Sequence, residues 1–208
     1  IDHIMERILE LGDVEEVLVT VNRKFERQFR GWLASKGYRN VKLVVEESTR
    51  EEEKPGAVAS IARVLPLLEG QDCLIVAGDN LFTFSLSGLL NFYREVRSPV
   101  VGLYDVKNPG LARRYAVVKL GEEGRILELV EKPEKPGTTL IATCIYAMPH
   151  RALEKVREYL DRGGNRDTPG HFIGWLCKRV DVYGYVFRGL WFDVGTFETY
   201  KRAKREFP

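Results

Sequence analysis

Residues 73–80 read CLIVAGDN, and this octapeptide sets the fold. Its first five positions are apolar without a break, the pattern of a strand covered on both faces. Gly78 ends the run, and two polar side chains, Asp79 and Asn80, follow at once. In sheets with helices on both sides, ligands bind beyond the carboxyl ends of the strands, so Asp79 is expected to face a crevice.

On the N-terminal side, Ile1, Ile4, Met5, Ile8 and Leu9 recur at helical spacing and Gly12 supplies a stop. Residues 16–21 (EVLVTV) predict a strand. Phe25, Phe29, Trp32 and Leu33 predict the core-facing side of a helix closed by Gly37. A strand over 41–45 and a helix over 56–68 lead back to the opening octapeptide. Strands alternating with helices in this way argue for a parallel, doubly wound sheet.

Beyond residue 80 the rhythm changes. Stretches 100–105, 115–119, 126–130 and 139–147 are strand-like with few helices between them, and GEEG at 121–124 predicts a tight hairpin turn. Helices over 151–161 and 169–179, a strand over 182–187 and a last helix over 197–206 complete the reading. The expected fold is α/β, a Rossmann-like doubly wound mixed sheet, mostly parallel, with helices on both faces. Ile1 enters a helix with no capping residue and no strand before it. The expectation is therefore that the first strand is missing, and that 1–208 is one N-terminally truncated domain.

A chain of 208 residues is long enough for one sizeable core. With 44% hydrophobic and 30% charged residues it falls outside the disordered and membrane classes. A net charge of +2 is too small a bias for a nucleic-acid surface, so neither nucleic acid nor membrane is expected as a partner. Cys73, Cys144 and Cys177 each lie in an apolar stretch without a CxxC pair, the usage of a reducing, cytoplasmic compartment. The scarcity of Met and His against abundant charge suggests a thermophile source. His3, His150 and His171 lack metal-ligand spacing.

Asp193 repeats the pattern of Asp79: it follows Leu190-Trp191-Phe192, and Gly195-Thr196 then opens the last helix. Two aspartates ending apolar segments suit Mg²⁺, a hard cation that takes one or two carboxylates together with substrate phosphates. Glu131-Lys132-Pro133 ends another strand and sets a hydrogen-bond acceptor beside a phosphate-pairing ammonium. Side chains of neighbouring strand residues point to opposite faces, so only a twist, bulge or strand end lets both reach one ligand. Taken singly, each aspartate also reads as a cap or turn residue, and Glu-Lys as a solvated strand end.

The segments AGDN at 77–80, RRYAVVKL at 113–120, GRILELVEKP at 124–133 and WFDVGTFETY at 191–200 together resemble the sugar-1-phosphate nucleotidyltransferases, glucose-1-phosphate thymidylyltransferases among them. The resemblance implies that Asp79 and Asp193 are Mg²⁺ ligands and, with Lys132, the catalytic residues. It implies Glu131 as the sugar contact, Lys132 as the contact to the sugar phosphate, and Gly56, in the stretch from Lys54, as the approach to the base. Asn80, Tyr115, Ala116 and Thr143 complete the substrate-binding set. The implied reaction joins an NTP and a sugar-1-phosphate into an NDP-sugar and pyrophosphate by in-line attack on the α-phosphorus, with a homo-oligomer left open.

Three departures from the family pattern stand out. A glycine-rich first loop would precede Ile1, and the chain without it is expected to show little turnover. Ala116 and Cys144 stand where glycines are usual, narrowing the sugar pocket. These leave two alternatives: a non-catalytic regulatory or binding subunit, and a nucleotidyltransferase acting on a non-sugar phosphate.

Overall fold

The computed structural model of the chain describes residues 1–48 and 55–208. Helix α1 (Asp2–Leu9) buries Ile4 and Met5. Strands β1 (Val17–Asn22) and β2 (Val41–Glu46), linked by helix α2 (Glu26–Lys36), pair in parallel from Val17–Val41 to Asn22–Glu46. They form a two-stranded sheet of their own. The face of α2 expected to be core is only half covered: no residue of the helix is buried, and Phe25 is exposed. Two strands offer a narrow platform, and the Trp32 indole reaches past it to donate to Asp2 of α1 at 2.7 Å.

Helix α3 (Ala57–Val64) runs into a 3₁₀ turn, Leu65–Leu68, and then into β3 (Cys73–Val76). The main sheet adds β5 (Val100–Asp105), β6 (Ala116–Leu120), β7 (Ile126–Glu131), β8 (Leu140–Met148) and β9 (Tyr183–Val186), after the short β4 (Asn80–Phe82). Long β8 is its spine. It carries β5 along one edge and, along the other, β3 beside its second half and β6 beside its first. β3, β5 and β6 all run against β8, β9 runs with β5, and β7 runs against β6. Most strands of this sheet therefore share one direction, as the mostly parallel reading requires. The reversed β8 between them makes most of the actual ladders antiparallel.

β3 departs from its reading as a doubly covered strand, since each of its four residues is half-buried. It pairs with β8 alone, and its second edge meets no strand among the described residues.

Helices cover both faces. On one, α3, α7 (Lys155–Asp161) and α8 (Pro169–Leu176) enclose Val58, Leu103, Val118, Tyr146, Phe172 and Ile173. On the other, α1 and α4 (Ser87–Val96) enclose Ile4, Phe82, Phe84, Leu86, Leu89 and Ile145. Each such apolar side chain contributes about 1.5–3 kcal/mol on burial. Helix α4 was not expected from the sequence. The single helix foreseen over 151–161 is two, α6 (His150–Leu153) and α7. A short helix, α5 (Pro109–Ala112), precedes β6. Finally β10 (Trp191–Asp193) pairs with β4, and α9 (Phe197–Glu206) ends the fold as expected. Among the described residues no helix is long and apolar enough to cross a membrane.

Candidate functional site

The two aspartates meet at the end of β3. β10 runs antiparallel to β4 with Asp193 opposite Asn80, the residue after Asp79. The Val194 N–H donates to the Asp79 carbonyl at 2.8 Å, and the Trp191 indole N–H donates to the Asn80 side-chain oxygen. Asp79 is exposed and Asp193 half-buried. Burial first, and the neighbouring Asp79 charge second, raise the Asp193 carboxyl above its ordinary range; hydrogen bonds from Tyr115 and the Gly195 N–H, and then Arg114, pull it back in part.

Like charges held together without a strong counter-charge suit a hard cation. Among the described residues no group of three or more His, Cys, Asp or Glu could hold a metal by itself. The donor set thus fits Mg²⁺ sharing its ligands with phosphates, and does not fit a closed zinc site.

The backbone turns between Glu131 and Lys132. Glu131 is the last residue of β7, and Lys132 takes the left-handed conformation at φ +46°. This brings the Lys132 Nζ to 4.0 Å from Glu131 Oε1. A left-handed lysine costs about 1–2 kcal/mol, strain of a kind that concentrates at functional positions. The Glu131 side chain is only 10% exposed. Burial pushes its carboxyl up, and Lys132 and His171 pull it back in part. Lys132 overhangs a cleft of about 350 Å³ also lined by Arg114, Tyr115, Asp193, Thr196 and Thr199. Thr196 caps α9 there with a reciprocal Thr199 bond, so the positive helix end faces the cleft beside Lys132 and Arg114.

The remaining expected contacts divide. Tyr115 belongs to the cleft, with its hydroxyl facing Asp193 and its ring packed edge-on against Trp191 at 5.5 Å. Ala116 pairs with Glu131 across β6 and β7. Asn80 and Thr143 lie inside the fold. Asn80 is 6% exposed, donates to the Ala77 carbonyl and accepts from Trp191. Thr143 is 2% exposed and donates to the Gly102 carbonyl at 2.8 Å. Both polar ends have hydrogen-bond partners inside the fold.

Gly56 sits at φ +89°, where a Cβ would lie 2.4 Å from the Arg166 carbonyl oxygen. That oxygen accepts the N–H groups of Val58 and Ala59, so the start of α3 is closed by the chain itself. Lys54 lies outside the described residues.

Cys144 occupies a bulge of β8. The register against β5 shifts between Val101 and Leu103, and Cys144 turns left-handed at φ +57°. Its thiol accepts from the Tyr146 hydroxyl at 3.4 Å, and burial, together with Asp79, Glu131 and Asp193, pushes it up to about 11. Such a backbone favours glycine. Cys144→Gly is therefore expected to leave stability within about 1 kcal/mol of the parent, the relieved strain balancing the lost side chain. The same change at Cys73, in ordinary strand conformation, should cost about 2 kcal/mol. Denaturant midpoints of the two variants compare them directly.

The sequence reading did not single out Gly170 in the first turn of α8, which lies directly against Glu131 and Ala116. Nor did it place Thr196 and Thr199 in the cleft, although the capping pattern after WFDVG was visible.

The family model described as "Nucleotidyl transferase" matches residues 1–208. A mannose-1-phosphate guanylyltransferase of Mycobacterium tuberculosis is 29% identical over 98% of this chain and 54% of its own length. A glucose-1-phosphate adenylyltransferase of Mycoplasma mobile is 27% identical over 62% of this chain and 35% of its own. The chain thus spans about half or less of the curated relatives it matches. Among solved structures, a Bacillus anthracis protein named for glucose-1-phosphate thymidylyltransferase superposes with a TM-score of 0.85 at 17% identity, covering 99% of this chain and 80% of that one. That likeness establishes the shared α/β fold. On the match along its whole length the chain belongs to the nucleotidyl transferase family, and the curated relatives named above are sugar-1-phosphate nucleotidyltransferases.

Proposed function

We propose that the protein of which this chain is part transfers a nucleotidyl group from an NTP to a sugar-1-phosphate, releasing pyrophosphate, in a Mg²⁺-dependent reaction in the cytoplasm. The observation that carries this reading is the paired aspartates Asp79 and Asp193, whose backbones are pinned side by side, with Asp193 lining the cleft that Lys132 overhangs.

The attacking oxygen of a sugar-1-phosphate is already anionic at neutral pH, so the site needs no general base. The chain's own groups position and neutralise. Asp79 and Asp193 would hold the cation, which when bound supplies positive charge to the reacting phosphates. Lys132, with Arg114 and the positive end of α9, draws the acceptor's phosphate into the cleft. Glu131 accepts from sugar hydroxyls, which supply the donors that its buried carboxylate otherwise lacks. Tyr115 orients Asp193 from the other side.

The test is pyrophosphate release by the full-length protein across a panel of NTPs and sugar-1-phosphates, with Mg²⁺ and with chelator. Mg²⁺-dependent release with at least one pair is expected. Nucleotide binding without release under every combination would favour a regulatory subunit, and release only with non-sugar phosphates would redirect the acceptor class.

A further inference from the structure

We propose that Gly170 is a positioning residue for the acceptor: its missing side chain is what allows the Glu131 carboxylate to lie against the first turn of α8 and face the sugar. This rests on the reading of Glu131 as the acceptor contact given above.

The geometry is specific. A Cβ at Gly170 would lie 1.9 Å from Glu131 Oε2, 3.1 Å from its Cδ and 2.9 Å from Ala116 Cβ. Gly170 is buried and has no positive φ, so its backbone does not demand glycine; only the space beside it does. Helical residues other than proline generally favour a helix over glycine, by about 0.5–1 kcal/mol for alanine. A glycine in the first turn of α8 is thus a local disadvantage with a compensating neighbour, the carboxylate. That carboxylate ends a side chain nine-tenths buried, with Lys132 at 4.0 Å as its ion partner and no hydrogen bond to it among the described residues.

Pro169, which precedes Gly170, has no N–H to offer. The Glu131 oxygens are therefore left for donors that come from outside, and neighbouring hydroxyls of a polyol ring are donors of that kind. The acceptor class so defined is a phosphorylated ring bearing adjacent free hydroxyls, read by Glu131 at the depth that Gly170 permits. Ala116 sets the floor of the same position.

Gly170→Ala separates this role from mere packing, because its two collisions can be relieved one at a time. In the full-length protein the variant is expected to raise KM for sugar-1-phosphate about tenfold or more, with a smaller change in kcat and in KM for the NTP. Shortening the carboxylate removes the first collision: measured against Glu131→Asp alone, adding Gly170→Ala should then cost less than about threefold. Adding Ala116→Gly removes the second collision and should leave the tenfold penalty in place. A penalty for Gly170→Ala that is equal with Glu131 intact and in the Glu131→Asp background, or rescue by Ala116→Gly alone, overturns the positioning role. A parent that turns over no sugar-1-phosphate overturns the reading of the site on which it rests.

Discussion

Asp193→Asn is expected to lower kcat at least about tenfold, a loss of about 1.4 kcal/mol or more in transition-state stabilisation. The same substitution should raise the melting temperature measured without divalent cations. The two effects share one cause. Asp193 is half-buried and sits beside Asp79, so its negative charge is unfavourable until a cation shares it. Asparagine keeps the shape and removes the charge, which relieves the fold and disables the site. Added Mg²⁺ should raise the melting temperature of the parent, because a ligand that binds only the folded state stabilises it. The variant should lose most of that increment. Turnover near the parent's level with Mg²⁺, or an undiminished Mg²⁺ increment, would remove Asp193 from the cation site.

The second large effect concerns stability. Gly56→Ala should cost about 3 kcal/mol or more, since it adds a left-handed backbone penalty to a collision with main-chain atoms that cannot swing aside. A Cβ there would meet Arg166 O at 2.4 Å, Arg166 C at 2.6 Å and Asp167 Cα at 2.8 Å. Gly137→Ala, where no atom lies within 4 Å and φ is not positive, is the matched control and should change stability by less than about 1 kcal/mol. Urea denaturation of both variants decides the matter. A Gly56→Ala protein of parental stability but weakened nucleotide affinity would return the glycine to the role the sequence suggested, close approach to a base.

The sequence was most legible where one physical signal acted alone. The unbroken apolar run of β3, the strand-turn-strand of β6 and β7, and the capped α9 all appear where expected, because periodicity and capping are local properties. The pairing of Asp79 with Asp193 was also foreseeable, since both stand where an apolar strand gives out. What stayed hidden depends on neighbours distant in sequence. The hydrogen bonds that tie Asn80 to Trp191 and Thr143 to Gly102 could not be read from the sequence. Gly170 looks like an ordinary break until Glu131 is found against it. Lys132 comes to 4.0 Å from Glu131 beside a left-handed backbone that no composition signals. β8 reads as any other strand, yet its reversed direction organises the sheet.

The bond from Trp191 to Asn80 joins residues 111 positions apart. Closing so long a loop carries an entropy cost that the short β4–β10 ladder must offset before the aspartates can stand together. Contacts of this range form late, after the local turns and helices are in place. A molecule can therefore hold its local turns and helices while the β4–β10 pairing that carries the aspartates does not yet exist. Docking of β10 completes the pairing on which the proposed cation site depends, and a cation shared by Asp79 and Asp193 would act as a reversible cross-link between two halves of the chain. Under that proposal, uptake of Mg²⁺ would serve as a readout of complete folding, one that a spectroscopic measure of secondary structure would miss.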